Sequence, residues 1–344
     1  MDMTFVYQVQ HHAAFGPLIV VYFFLAGLSA GLFLISSLGP VFGLKKLNPL
    51  AKSASVMALA TLIPGLLALV VDLGQPLRAP TVFFRVNLSS VMSWGSFILL
   101  IYGFVCLVYT WFVWKEDARS KGWGQVGVVF AAALGLYTGF LLAAVPGRPL
   151  WNSALLPVLF LISGAVAGLS LISVAQTFFA KTTKLAGEGT GEAIHSMKIW
   201  MVTLEVLLLA FHLLAVFMLN DAGRALVKHL LTGQKQFSFV FVQVIIGMLV
   251  PLAILLLSKR SAKALGISGV LSLIGVFALR YNIVAGGEEL PLSGTLMYTF
   301  GETSAWIAVS VLLILAAILI LILPGIVQRV IVGKTTVAGI GKSL

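Results

Sequence analysis

An acid stands where a long apolar run ends, in the string Asp72-Leu73-Gly74-Gln75-Pro76-Leu77-Arg78. A carboxylate at a helix C-terminus opposes the negative end of the macrodipole, and at the edge of hydrocarbon it also bears a desolvation cost. A residue kept there serves pairing, proton handling, or both. Arg78 supplies the pairing partner, across the Gly74–Pro76 corner. An aspartate beside an arginine and partly desolvated is also suited to act as a general base.

Further residues have types and positions that bear chemistry. Glu205 and His212 lie seven residues apart in one apolar run, so on a helix they share a face about 10 Å apart along the axis. They read either as two stations of a proton path or as two polar anchors bonded to neighbouring helices. Tyr22 and Tyr137 each offer a phenolic donor on an aromatic body. That suits a quinone carbonyl, and it also suits the aromatic belt at a membrane interface. Arg280-Tyr281-Asn282 and Glu302 fall where one apolar run ends and the next begins, as an ion pair between helix ends or as a functional pair.

Other cofactor chemistry is poorly provided for. The single cysteine, Cys106, rules out an intrachain disulfide and a Cys-x-x-Cys-His haem attachment. His11, His12, His195 and His229 are read as lying in loops, which leaves His212 alone inside the membrane. A bis-histidine haem, which needs two facing ligands, is not expected, and neither is a metal bound by this protein.

The elements that must position these residues follow from composition. Of 344 residues, 60% are apolar and 10% charged, far from the roughly one-quarter charged content of soluble domains. Apolar runs of about 20 residues match a hydrocarbon core about 30 Å thick. The spacing predicts an all-α, polytopic transmembrane bundle of nine spans, at about 17–39, 53–73, 90–114, 125–146, 153–180, 198–219, 238–258, 262–283 and 303–328. Short loops make it one domain over 1–344. The N-terminus lacks a basic region and a small-residue cleavage site, so its first apolar run is kept as a helix rather than a signal peptide.

Orientation follows from the lysines and arginines. Most of them, from Lys45, Lys46 and Lys52 through Lys115, Arg119, Lys181, Lys259 and Arg260 to Lys334, fall on one side. Fewer fall on the other: Arg78, Arg85, Arg148, Arg224, Lys228, Lys235 and Arg280. The positive-inside rule then places the N-terminus and the Asp72 string outside and the C-terminus in the cytoplasm. The net charge of +11 therefore marks orientation rather than a nucleic-acid partner. Gly27-xxx-Gly31, Gly135-xxx-Gly139 and Gly164-xxx-Gly168 read as close helix contacts.

Taken in order, several strings resemble the polysulfide-reductase/NrfD-type family of respiratory membrane subunits. They are Tyr22-Phe-Phe-Leu-Ala-Gly-Leu-Ser-Ala-Gly31, Asp72-Leu-Gly-Gln-Pro-Leu-Arg78, Ser90-Val-Met-Ser-Trp-Gly-Ser96, Tyr137-Thr-Gly139, Leu156-Pro-Val-Leu-Phe-Leu-Ile-Ser-Gly164 and Arg280-Tyr-Asn-Ile-Val-Ala-Gly-Gly287. The resemblance implies a haem-free membrane subunit that binds a quinone, menaquinone or ubiquinone, near the outer end of the first four helices (about 17–146). Helices at about 153–328 complete the bundle. Electrons would pass to or from a four-cluster iron–sulfur protein docked outside, with a molybdopterin or multihaem cytochrome subunit beyond it. By position, Asp72 resembles the family's proton-handling acid and Tyr137 its quinone-binding tyrosine. Some members carry a histidine where this sequence has Tyr22.

The sequence and the resemblance therefore lead to a quinone-reactive subunit of the cell's inner (cytoplasmic) membrane, with menaquinone the expected quinone. Tyr137 and Tyr22 hold the quinone oxygens, Asp72 accepts a proton, Arg78 tunes it, and Arg85 and Arg148 border the docking surface. Glu205 and His212 link the site to the cytoplasm. Two alternatives remain open: a proton-translocating or secondary transporter subunit working through Glu205 and His212, and a passive anchor.

Overall fold

Inside hydrocarbon every backbone N–H and C=O must be satisfied within its own segment, which leaves helices as the route for apolar runs of this length. The computed structural model describes residues 15–73, 90–145, 147–178, 189–258, 261–289 and 303–340, and among them there is no strand. The long helices are α1 (Pro17–Ser37), α2 (Asn48–Asp72), α3 (Val91–Trp114), α4 (Arg119–Ala143), α5 (Leu155–Phe178) and α6 (Thr190–Leu219). After a short helix α7 (Asp221–Thr232) come α8 (Phe237–Leu257), α9 (Ala262–Glu289) and α10 (Thr303–Ile340). Nine of the described helices are long and apolar enough to span a membrane, as expected, and α7 is the exception.

Several ends differ from the sequence expectation. Helix α6 begins at Thr190 rather than near 198, so His195, read as a loop residue, lies within it and is buried, as is Lys198. Lys198 is accommodated because its Nζ donates to Ser268 Oγ on α9 at 3.0 Å. Helix α7 is an addition to the expected spans, since it is too short and too polar to cross a membrane. Its apolar residues Gly223, Leu226, Val227 and Leu230 follow the i, i+3, i+4, i+7 spacing and turn inward. Asn220 caps it by accepting the Gly223 N–H at 2.7 Å. The first part of α8, Phe237–Leu249, is wound as a π-helix. There Asn282 of α9 donates to the Ser238 carbonyl at 3.0 Å and to Gln243 Oε1 at 2.8 Å, while Ser238 Oγ donates back to Asn282 Oδ1 at 2.7 Å. A side chain entering the ladder in this way is a recognised cause of such irregularity.

Helix α1 is the centre of the bundle, with 89% of its membrane window buried, against 17% for α10 at the periphery. Two devices hold it there. Toward α5, the glycine pairs interlock: a Cβ on Gly164 would stand 2.7 Å from the Gly27 carbonyl oxygen, and one on Gly168 would stand 2.8 Å from Leu32 N. These are close backbone approaches that small residues alone permit. Toward α2 and α3, Ser29 and Ser36, two turns apart, donate to the carbonyls of Ala58 at 2.8 Å and Ala51 at 2.7 Å. They also meet the hydroxyls of Tyr102 at 2.8 Å and Tyr109 at 3.2 Å. The α3–α4 turn carries exposed ion pairs. The Arg119 hydrogen bond holds Asp117 down at about 2, and the Lys52 hydrogen bond holds Glu116 below its ordinary range. Their contribution is present above the ordinary carboxylate range and fades as pH falls, and exposure keeps it small.

Candidate functional site

The helices run up and down, so the start of α1, the end of α2, the start of α3, the end of α4 and the end of α9 gather at one end of the bundle, here called the Asp72 end. Helix α4 carries Tyr137, and α3 makes room for it at Gly95. A Cβ on Gly95 would land on the Tyr137 phenol, so the glycine of the Ser93-Trp94-Gly95 string seats that ring. The next residues of α4 lock its height against α5. A Cβ on Gly139 would stand 2.8 Å from the Leu156 carbonyl oxygen, and Thr138 keeps its hydroxyl within α4, donating to Gly135 O at 2.9 Å. Tyr22, on α1, is 2% exposed and within electrostatic reach of Tyr137, which is 7% exposed.

The four buried tyrosines named so far divide into two pairs. Tyr102 and Tyr109 have their hydroxyls bonded to Ser29 and Ser36. Among the described residues no hydrogen bond ties up the hydroxyl of Tyr22 or Tyr137, and neither oxygen is among the fully buried atoms left without a partner. Two buried rings within electrostatic reach, each with a hydroxyl not engaged by the protein, form a place that fits a ligand with oxygen acceptors, as a quinone has.

Asp72 ends α2, half-buried, beside the start of α1. A Cβ on Gly16 would stand 3.7 Å from Asp72 Oδ1. The acid therefore opposes the dipole of its own helix but lies against the positive end of α1, where a negative charge is favoured. Tyr22 is six residues further along α1, about 9 Å deeper. Arg78 and Arg85 lie outside the described residues, so the expected Asp72–Arg78 pairing does too. Arg148 is described, and it is engaged rather than free. Its guanidinium donates to Gly287 O at 2.8 Å, to Glu288 O at 3.2 Å and to the Glu288 carboxylate at 3.2 Å.

Glu205 and His212 are buried on α6, away from the phenols. His212 faces the Leu150 backbone without either ring nitrogen completing a hydrogen bond. Glu205 couples electrostatically to Arg280, a residue that the sequence offered only as a partner for Glu302, which lies outside the described residues. Arg280 is fully buried. Its Nη2 donates to Phe160 O at 2.9 Å and Ser163 Oγ at 2.7 Å, and its guanidinium stacks 3.7 Å from the Phe160 ring centroid. Gly27 leaves it space, since a Cβ there would stand 3.2 Å from Nη2. Gly95, Gly16 and Lys198 are thus parts of the site and its surroundings that single-sequence reading did not assign, and Arg280, read there with Glu302, lies within electrostatic reach of Glu205.

Comparison with known proteins agrees with this architecture. The family model described as "Polysulphide reductase, NrfD" matches residues 6–291. The protein belongs to the NrfD family. It is 30% identical to the C subunit of polysulfide reductase from Wolinella succinogenes over 297 residues, covering 78% of this sequence and 93% of that one. Protein NrfD of Escherichia coli is 29% identical over 307 residues, covering 78% and 93%. The Hdr-like menaquinol oxidoreductase integral membrane subunit of Archaeoglobus fulgidus is 26% identical over 272 residues, covering 77% and 68%. As an NrfD-family protein with nine helices of membrane-spanning length, it is a multi-pass integral membrane protein.

Proposed function

We propose that this NrfD-family protein is the quinone-reactive subunit of a respiratory oxidoreductase complex in the inner membrane, with the Asp72 end outside. The observation that carries the reading is the pair of buried, uncommitted phenols of Tyr22 and Tyr137, beside the half-buried acid Asp72. Relatives described as reductase membrane subunits, one of them of a menaquinol oxidoreductase, support it and favour menaquinol as the substrate.

A quinol gives up two electrons and two protons as it becomes a quinone. Tyr137 and Tyr22 orient it, because a phenol accepts from a quinol hydroxyl and donates to a quinone carbonyl equally well. Asp72 accepts one of the protons at its carboxylate, steadied by the start of α1 and, on this reading, by Arg78, and the other proton leaves to water at the outer face. The electrons pass to an iron–sulfur partner docked at the Asp72 end, where Arg85 borders the contact. A molybdopterin or multihaem cytochrome subunit lies beyond it. Arg148 supports the rim of that surface through Glu288.

Tyr137→Phe keeps the ring seated on Gly95 and removes one hydrogen bond, which is worth about 0.5–1.5 kcal/mol. In the assembled complex it is expected to raise the quinol KM roughly three- to tenfold with a smaller effect on kcat. An unchanged KM for quinol would remove Tyr137 from the site.

A second reading, proton translocation through Glu205 and His212, is favoured by one observation. Glu205 Oε1, both nitrogens of His212, and Nε and Nη1 of Arg280 are buried without a partner. Such groups mark either internal water or a path. The two readings are compatible, since a quinol site and a proton route occupy different helices.

A further inference from the structure

Three separate stretches of the protein meet over the start of α1. Glu288, near the end of α9, is 4% exposed, and its Oε1 accepts the Phe15 N–H at 3.2 Å. Its Oε2 pairs with Arg148 of the α4–α5 loop at 3.2 Å. Trp151, from the same loop, donates Nε1 to Ile283 O at 2.7 Å and meets the Phe15 ring edge-on at 5.5 Å. Phe15 is followed by Gly16, the residue against which Asp72 rests. Contacts therefore run from Arg148 through Glu288 to Phe15, and the next residue, Gly16, borders Asp72, whose Oδ1 lies 3.7 Å from where a Cβ at Gly16 would stand. Nothing in α1 itself does this job: Gly16 gives no side-chain cap, and Pro17 lacks an N–H.

We propose that Glu288 is a positioning residue for Asp72. It pins the start of α1 against the acid, and Arg148 holds Glu288, so that the α4–α5 loop sets the geometry and charge around the proton acceptor. The proposal rests on the reading of Asp72 as that acceptor. Among the described residues, Glu288 and Arg148 are the charged side chains facing this corner from α9 and the α4–α5 loop. The described first turns of α1, α3 and α10 contribute none, and Arg280 lies two turns deeper, bonded to α5.

Two variants separate positioning from simple support. Glu288→Gln keeps an acceptor for the Phe15 N–H but removes an anion from the corner. The acid limb of quinol-dependent turnover by the assembled complex is expected to move to lower pH. Arg148→Gln removes a cation from the same corner, and the limb is expected to move to higher pH. Opposite displacements support the proposal. Equal losses of rate with an unmoved limb overturn it.

A labelling arm needs no turnover. Gly16→Cys is tolerated sterically, and the native Cys106 is buried. Maleimide should reach Cys at position 16 about tenfold faster with Glu288→Ala than with Glu288→Gln, the factor carried by one buried hydrogen bond. Equal labelling rates overturn the pinning. Full activity of Asp72→Asn would instead sink the role of the acid itself, a separate outcome.

Discussion

Asp72→Asn in the assembled complex is expected to lower quinol-dependent reduction of the partner by about 10²–10⁴-fold, the range supplied by a positioned general base. The amide is nearly the same size and keeps its place beside Gly16, so the protein should assemble and bind quinol as before. The loss should therefore fall on kcat with little change in KM. The expectation follows from the placement of the carboxylate. It sits at the end of α2 but beside the start of α1, half-buried. Glu288→Gln acts through the same corner, and its smaller, pH-dependent effect should vanish in the Asp72→Asn background, because the two variants share one pathway. Retention of wild-type kcat by Asp72→Asn would contradict the proton-accepting role.

Arg280→Leu is expected to destabilise the protein by about 1–3 kcal/mol, the cost of leaving buried acceptors without their donor. Arg280 is fully buried, and its Nη2 bonds Phe160 O and Ser163 Oγ. Its removal also takes a positive charge out of electrostatic reach of the buried Glu205. The double variant Glu205→Gln/Arg280→Leu should recover part of the loss, since a neutral amide is less costly there than a carboxylate. Unfolding of the detergent-solubilised complex measures both. A single-variant loss below about 0.5 kcal/mol would show that these hydrogen bonds add little to stability. Glu205→Gln also addresses proton movement. If quinol oxidation persists while acidification on one side of a proteoliposome falls, Glu205 carries protons; if both persist, it is an anchor.

The sequence discloses the spans because runs such as Ile19–Ile35 are too apolar for water and long enough for hydrocarbon. It marks α1, α4 and α5 for close helix contacts through glycines four apart, but not that the α1 and α5 pairs would interlock with each other. It hides what depends on register between distant segments. Asp72 announces itself as a costly acid, but its neighbour Gly16 depends on where α1 and α2 end relative to each other. Gly95 is one glycine among many until the Tyr137 ring is seen resting on it. His195 looks like a loop residue because it is polar, and Ser268, far along the sequence, is what allows Lys198 inside. Helix α7 has a legible helical period, but a reading tuned to runs of about 20 apolar residues passes over it. The π-winding of α8 has no local sequence cause, since its partner Asn282 comes from α9.

The most direct test of the central claim is to find where quinone binds. A photoreactive azido-menaquinone, irradiated with the assembled complex and mapped by peptide mass spectrometry, should label peptides of α1, α3 and α4 around Tyr22, Gly95 and Tyr137. An excess of menaquinol should prevent that labelling. Specific, competed labelling confined to α6, α8 or α9, or to a partner subunit, would contradict the assignment of the quinone site to this corner.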